Sequence, residues 1–393
     1  MNDSTRKDIS NRIIAAAVEM RATDIHVDPT LKGFHVRVRV DGVLYPHLDL
    51  DRDAGVKLIN QIKADVGIDP GSVFFPVGER MKWVVPETEV DLRVTLVPCV
   101  SGPKLAIRIL DPNRFGKKIP DLGLTDEERE RLDRWATEMN GMILVTGATG
   151  CGKTTTLYAL LQELASEARH VVTVEDPVEY ELDGINQIQV AEEHDLSFAE
   201  GIRASLRLDP DCLMIGEILE PESAQLAVNA AVQGHTVLGT LHSRDAVSAI
   251  TRLRNFGVAD HQIGAAIGVV VNQRLVRKLC PDCSSQRPPT EREIDLLARH
   301  GRKLPDLVWE AKGCTHCNGI GYLHRTGIFE VWNLQECDYH RILNGSDEES
   351  IREGLSESDY ISIFDDALEK IKSGITSVEE VSRASLEMPW SNR

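Results

Sequence analysis

The stretch Gly147-Ala148-Thr149-Gly150-Cys151-Gly152-Lys153-Thr154 decides how this chain folds. It fits G-x-x-x-x-G-K-[ST], the spacing of a phosphate-binding loop. Glycines let consecutive backbone N–H groups turn inward on an anion, and a helix starting there adds the positive end of its dipole. The flanks agree. Met142-Ile143-Leu144-Val145 reads as a buried strand entering the loop, and Thr155-Thr156-Leu157-Tyr158-Ala159-Leu160-Leu161 as the helix leaving it. Gly147 to Thr155 then line the phosphates, Lys153 reaches their β/γ end, and Thr154 ligates magnesium. A glycine-rich turn before an ordinary helix is the plainer reading, and the acidic strand ends downstream argue against it.

Three further strands bring chemistry to that loop. Val171-Val172-Thr173-Val174 ends in Glu175-Asp176-Pro177, Cys212-Leu213-Met214-Ile215 ends in Gly216-Glu217, and Thr236 to Leu241 ends in His242. In an open parallel sheet, ligands sit beyond the carboxyl ends of the strands. Hydrolysis of a nucleoside triphosphate needs an oriented water, a carboxylate to hold it and a cation for the γ-phosphate. Glu217 is the first candidate for the water or the outer magnesium shell, and Glu175 the second. His235 and His242 either sense the γ-phosphate or bind backbone.

With 393 residues the chain can hold two or three domains. Its 44 Lys plus Arg stand against 62 Asp plus Glu, a formal net charge of −18. Such a surface repels phosphate backbones, so nucleic acid is not an expected partner and an anionic membrane would need a local basic patch. There is no apolar run of about 18 residues and no signal-peptide pattern, which places the expectation in the cytosol. There the eight cysteines serve as thiols or metal ligands rather than disulfides.

Periodicity divides the chain into a small α/β domain at 1–111, a linker at 112–124 and an α/β core at 125–279. In the first, Ile9 to Met20 has helical spacing, Phe34, Val36, Val38 and Val40 alternate with polar residues, and Asp41-Gly42 signals a hairpin turn. A helix over Ala54 to Val66 and strands over Val90 to Leu96 and Lys104 to Leu110 follow. Thr125 with Glu128 forms a capping box that opens a helix running to about Met139. A cysteine module at 280–330 and a helical region at 331–393 complete the division.

Cys280-Pro281-Asp282-Cys283 and Cys314-Thr315-His316-Cys317 form C-x-x-C…C-x-x-C, two knuckles that can bring four thiolates to one tetrahedral zinc. The 30 residues between them exceed the usual ribbon spacing, but Thr290 to Arg302 can fold as a helix inside the loop. A redox pair and metal-free thiols are the alternatives. Cys99, Cys151, Cys212 and Cys337 read as packing or loop residues.

Taken together, Ala22 to Pro29, Arg37 to Gly42, Asp91-Leu92-Arg93, the phosphate loop, Thr173 to Tyr180, Leu206 to Glu217, Gly234 to His242 and Gln273 to Arg277 resemble the ATPases of type II secretion and type IV pilus assembly. The anchors span about residue 10 to 385. The resemblance implies a RecA-like ATPase core after the family's second N-terminal domain, with a zinc-binding insertion and a helical C-terminus. It implies ATP, Mg2+ and Zn2+, with Arg93 and Arg108 directed to the γ-phosphate. It further implies a homohexameric ring, cytoplasmic and peripheral at the inner membrane. The ring would drive a polytopic inner-membrane platform protein and, through it, pilin or pseudopilin subunits. A retraction-type relative would lack the cysteine module.

Two other functions fit the same core. A nucleic-acid translocase is disfavoured by the low basic charge; a zinc-ribbon adaptor with a merely structural nucleotide site is disfavoured by Lys153, Thr154, Glu175 and Glu217. Several positions depart from the family pattern. Leu219 stands where an arginine is usual, Glu220 where an aspartate is, Leu208 for a glutamine and Ala148 for a proline, and Pro76 to Arg80 replaces the usual Pro-Gln-Asp-Gly-Arg. The chain also begins where the family's second N-terminal domain begins, so the domain that docks some members to their membrane partner is expected to be absent or to belong to a removed segment.

Overall fold

The computed structural model describes residues 3–69, 77–86, 88–111, 116–138, 141–191 and 194–385. Pro76, most of the expected linker's first residues and the helix end expected at Met139 lie outside them. The chain forms two compact units, Met1–Phe115 and Gly116–Arg393.

The N-terminal unit contains α1 (Asp3–Glu19), β1 (Ala22–Pro29), β2 (Gly33–Val40), β3 (Val43–Asp51), α2 (Arg52–Asp65), β4 (Val77–Val85), β5 (Thr88–Cys99) and β6 (Gly102–Leu110). Its strands form one antiparallel sheet in the order β3-β2-β1-β6-β5-β4. Alternation decides which face is covered. Ile25, Val27, Phe34, Val36, Val38, Leu92, Val94, Leu105 and Ile107 are buried, and Ile13 and Ile14 of α1 with Leu58, Ile59 and Ile62 of α2 complete that core. Asp41 and Gly42 both take positive φ, 49° and 86°, the pair of left-handed residues that a two-residue hairpin requires. On the other face, neighbours in register are Arg39, Asp24, Arg108, Arg93 and Arg80.

The larger unit runs α3 (Asp126–Glu138), β7 (Gly141–Thr146), α4 (Lys153–Leu164), β8 (Val171–Glu175), β9 (Asn186–Gln189), α5 (Phe198–Leu206), β10 (Cys212–Ile215), α6 (Pro221–Val232), β11 (Thr236–Leu241), α7 (Ala246–Asn255), α8 (Asp260–Ala266) and β12 (Ile267–Leu279). It continues with β13 (Ser285–Arg287), α9 (Glu291–Ala298), β14 (Val308–Glu310), β15 (Tyr322–Asn333), α10 (Glu336–Leu343), α11 (Glu348–Gly354), β16 (Asp359–Ile361), α12 (Ile363–Lys372) and α13 (Val378–Ser385). The main sheet has eight strands in the order β16-β15-β12-β7-β11-β10-β8-β9. From β12 to β9 every pairing is parallel. β7 lies where the order reverses, because β8 to β11 fall on one side of it and β12 on the other. That is the crevice position for a ligand in an open parallel sheet.

Both faces of this sheet are buried, as parallel strands require. Met142 and Leu144 of β7 pack with α6 and α7 residues such as Ala227, Val228 and Ile250, whereas Ile143 and Val145 pack with Leu157, Leu160 and Leu161 of α4. The capping box at α3 closes reciprocally: the Thr125 N–H donates to Glu128 at 2.8 Å and the Glu128 N–H to the Thr125 hydroxyl at 3.2 Å. Within the cysteine module, α9 opens on Thr290 with Glu293 completing its box.

Beyond residue 279 the division expected from periodicity needs correction. β15 returns antiparallel onto β12, from Arg277 opposite Arg325 to Val269 opposite Asn333, so the boundary expected at 330 falls inside a strand. The expected helical region from 331 begins with the end of β15 and includes β16. The physical reason is the edge of β12, which β15 covers. Segment 280–321 is therefore an insertion at the tip of a long hairpin.

Candidate active site

Gly147 and Gly152 bound the loop with φ of 139° and 93°. A Cβ at Gly147 would lie 2.6 Å from the Gln273 carbonyl oxygen, so only glycine fits there. α4 starts at Lys153 without a side-chain cap on its first turn. Its leading N–H groups are therefore left to an anion or to water. The Lys153 ammonium donates to the carbonyls of Gly147 and Ala148 at 3.2 and 3.3 Å. Thr154 is half-buried and Thr155 exposed on that first turn.

Parallel pairing brings the ends of β10 and β11 to the same edge. Leu241 is level with Thr146, which sets His242 beside Gly147. The Thr240 hydroxyl donates to the Gly216 carbonyl at 2.6 Å and the Ile218 N–H to the Thr240 carbonyl at 2.9 Å. Glu217, between these two bonds, is aimed at His242. His242 Nε2 bonds the Glu217 carboxylate, while its Nδ1 lies 3.3 Å from the Gly147 carbonyl oxygen. Side-chain exposures of 32% for Glu217 and 41% for His242 leave both open to solvent.

Glu175 is different. It is 2% exposed, and three donors bond it: the Tyr158 hydroxyl, the Thr173 hydroxyl at 2.6 Å and the Gln187 amide at 3.1 Å. Burial and the adjoining carboxylate push the Tyr158 phenol far above its ordinary range. Sequence reasoning missed Tyr158, Thr173 and Gln187, because their partner is fixed by strand pairing rather than by spacing.

Of the two roles open to His235, the structure gives it the backbone one rather than the catalytic one. It precedes β11 at the end opposite the loop, about 20 Å from His242 along a six-residue strand, and its Nδ1 bonds the Pro210 carbonyl at 2.9 Å. Within this chain it does not join the site. In the N-terminal unit, Arg108 pairs with Asp24 at 3.2 Å, and Arg93 stands next to it in register.

The four cysteine sulfurs of 280, 283, 314 and 317 lie within 4.8 Å of one another, so their donor set fits a single tetrahedral ion. Backbone N–H groups support them: Gly313 donates to Cys283 Sγ at 3.2 Å, and Cys314 and Gly321 donate to Cys317 Sγ at 3.2 and 3.1 Å. Burial raises the Cys317 thiol, but those two N–H groups together with the neighbouring thiols of Cys314 and Cys283 lower it to about 6. Among the described residues no helix is long and apolar enough to cross a membrane.

Residues 2–383 match the family described as Type II/IV secretion system protein. The chain belongs to that family. It is similar to Type II secretion system protein E of Aeromonas hydrophila, 40% identical over 378 residues that cover 96% of this chain and 75% of the relative. It is also similar to Type II secretion system ATPase E of Vibrio cholerae, 39% identical over 377 residues with the same coverage, 96% and 75%. Among solved structures, the ATPase DotB of Yersinia pseudotuberculosis aligns with a TM-score of 0.72 at 19% identity, covering 96% of this chain and 92% of that one. At that identity the likeness shows the fold alone, a RecA-like one. As a member of the secretion family this chain is an ATPase. Its departures Leu208 and Leu219 are 51% and 47% exposed, so neither substitution is compensated by burial.

Proposed function

We propose that the chain is a ring-forming cytoplasmic motor, a homohexamer, that couples ATP hydrolysis to a polytopic inner-membrane platform protein. Through that partner it loads pilin or pseudopilin subunits into a fibre. The observation that carries the proposal is the chain of contacts from Glu217 through His242 to the Gly147 carbonyl. It ties a solvent-open carboxylate to the backbone of the phosphate loop. Glu217 orients the attacking water and His242 holds it in place. Lys153 exchanges its loop carbonyls for phosphate oxygens, and the backbone N–H groups of 147–155 line the remainder. Thr154 would hold magnesium, which would supply charge neutralisation at the phosphates.

Arg93 and Arg108 act on the γ-phosphate in the assembled motor, a role supported by the family resemblance and by their adjacency in register. Cys280, Cys283, Cys314 and Cys317 would hold zinc, which would supply a cross-link between the two knuckles. Metal analysis should find one zinc per chain, and its loss in a Cys280→Ser, Cys317→Ser double variant should leave 280–321 sensitive to protease. The function is tested by Lys153→Ala. Removing the charge that anchors the phosphates should lower turnover by at least about 10²-fold. Wild-type turnover in that variant would sink the mechanism.

A further inference from the structure

One side chain holds the phosphate loop from behind, and the mechanism above does not use it. Gln273 lies in β12 and is 2% exposed. Its Nε2 donates to the Cys151 carbonyl oxygen at 2.7 Å, and its Oε1 accepts from the Thr156 hydroxyl at 2.8 Å. A carbonyl can only accept, so the amide has one orientation. The same residue meets the start of the loop through its backbone: a Cβ on Gly147 would lie 2.6 Å from its carbonyl oxygen, and one on Gly152 would lie 3.1 Å from Nε2. The loop is thus folded around Gln273, touching it at both ends and at the first full turn of α4.

We infer that Gln273 is a positioning residue for nucleotide binding, pinning the Cys151 carbonyl to the rear of the loop and thereby aiming the Gly152 N–H at the phosphates. A trans peptide sets its C=O and N–H on opposite sides. With the Cys151 carbonyl bonded back toward β12, the N–H of the same peptide faces away from β12, where the phosphates are bound. Glycine makes the clamp necessary. Gly152 has a φ of 93°, and a residue without Cβ occupies either sign of φ at little cost, so the glycines that curve the loop also let its peptides flip. Gln273 removes that freedom without touching the nucleotide.

The inference rests on the reading of the chain as a nucleotide hydrolase, and the test separates the two. Gln273→Met, Gln273→Glu, Thr156→Val and Thr156→Ser are made in the full chain. Binding of Mg·ADP is followed by calorimetry, with steady-state ATP hydrolysis and thermal melting of each variant. Gln273→Met and Gln273→Glu should raise both Kd and KM by about tenfold or more, the loss expected for one charge-assisted hydrogen bond. Their kcat at saturation should stay within about threefold, since a mis-aimed N–H weakens ground state and transition state alike. Thr156→Val should shift Kd in the same direction, Thr156→Ser should restore it, and adding Thr156→Val to Gln273→Met should add nothing further.

Wild-type Kd and KM in Gln273→Met, or a fall in kcat with KM unchanged, would overturn the inference. If the Gln273 variants fail to fold, the Thr156 pair decides, and equal Kd for Thr156→Val and Thr156→Ser overturns it. A wild-type chain that neither binds Mg·ADP nor hydrolyses ATP overturns the nucleotide reading itself, and this one with it.

Discussion

Of two neighbouring strands of the same sheet, β8 ends in a glutamate and β10 is followed two residues on by another, and the two are built for opposite purposes. Glu217, just beyond β10, keeps a third of its side chain in solvent and has His242 Nε2 as its hydrogen-bonding partner. Glu175 at the end of β8 is sealed beneath Tyr158, Thr173 and Gln187. A carboxylate that orients water must be open to it, whereas one buried beneath three donors fixes the elements that carry them. Identical residue types at similar places along parallel strands therefore differ in what they can do, and burial makes the difference.

The sharpest way to break this comparison is to neutralise both groups. Glu217→Gln should lower turnover by about 10²-fold or more while nucleotide stays bound, the share usual for a positioned acid or base. Glu175→Gln should retain at least about tenfold more turnover than Glu217→Gln, and cost about 1–3 kcal/mol of stability because one amide oxygen cannot serve three donors. Steady-state rates with urea unfolding of each variant check both halves. A Glu175→Gln protein that is fully stable but inactive would reverse the assignment.

A third carboxylate extends the comparison to a fully buried limit. Glu330 of β15 accepts from the Tyr360 hydroxyl at 2.8 Å and from the Ala246 N–H at 3.1 Å, holding the start of α7 just after His242. Burial, with Asp245 nearby, pushes its carboxyl from 4.5 up to about 7. Between those values the folded chain keeps a proton that the unfolded chain releases. Its contribution is therefore present below the unfolded value, falls as pH rises through the window and is flat above about 7. Glu330→Gln should flatten the stability profile between pH 5 and pH 8 by about 3 kcal/mol or less relative to wild type. Urea unfolding at the two pH values checks it, and an unchanged profile would show that Glu330 titrates as an ordinary surface carboxylate does.

The smallest expected effect separates the two histidines. His242→Ala should reduce turnover about tenfold, because Glu217 loses the group that positions it. His235→Ala, about a strand's length away, should stay within about twofold. Equal losses in both would mean that the Glu217–His242 contact carries no catalytic role.

What was legible in the sequence is what depends on neighbours along the chain. The phosphate loop, the Asp41-Gly42 turn, the cap at Thr125 and the paired C-x-x-C knuckles each need residues only a few positions apart, and each stands in the structure as its spacing indicates. Strands β1, β3, β4, β9 and β12 to β16 were not identified. β1 carries Asp24, Asp28 and Pro29, residue types depleted in strands, and β9 and β16 are only four and three residues long.

The sequence by itself determined that an anion-binding loop enters a helix, that a parallel sheet carries it, and that four thiols can meet. Local backbone geometry and hydrophobic periodicity suffice for those. Only the tertiary structure decided which glutamate is free, which histidine reaches the loop and that Gln273 stands behind it. Thr156 and Gln273 are 117 residues apart, and Gly147 and His242 are 95 apart. Such pairs are set by strand order and register, which follow from burying both faces of one sheet at once and leave no trace in the spacing of any single segment.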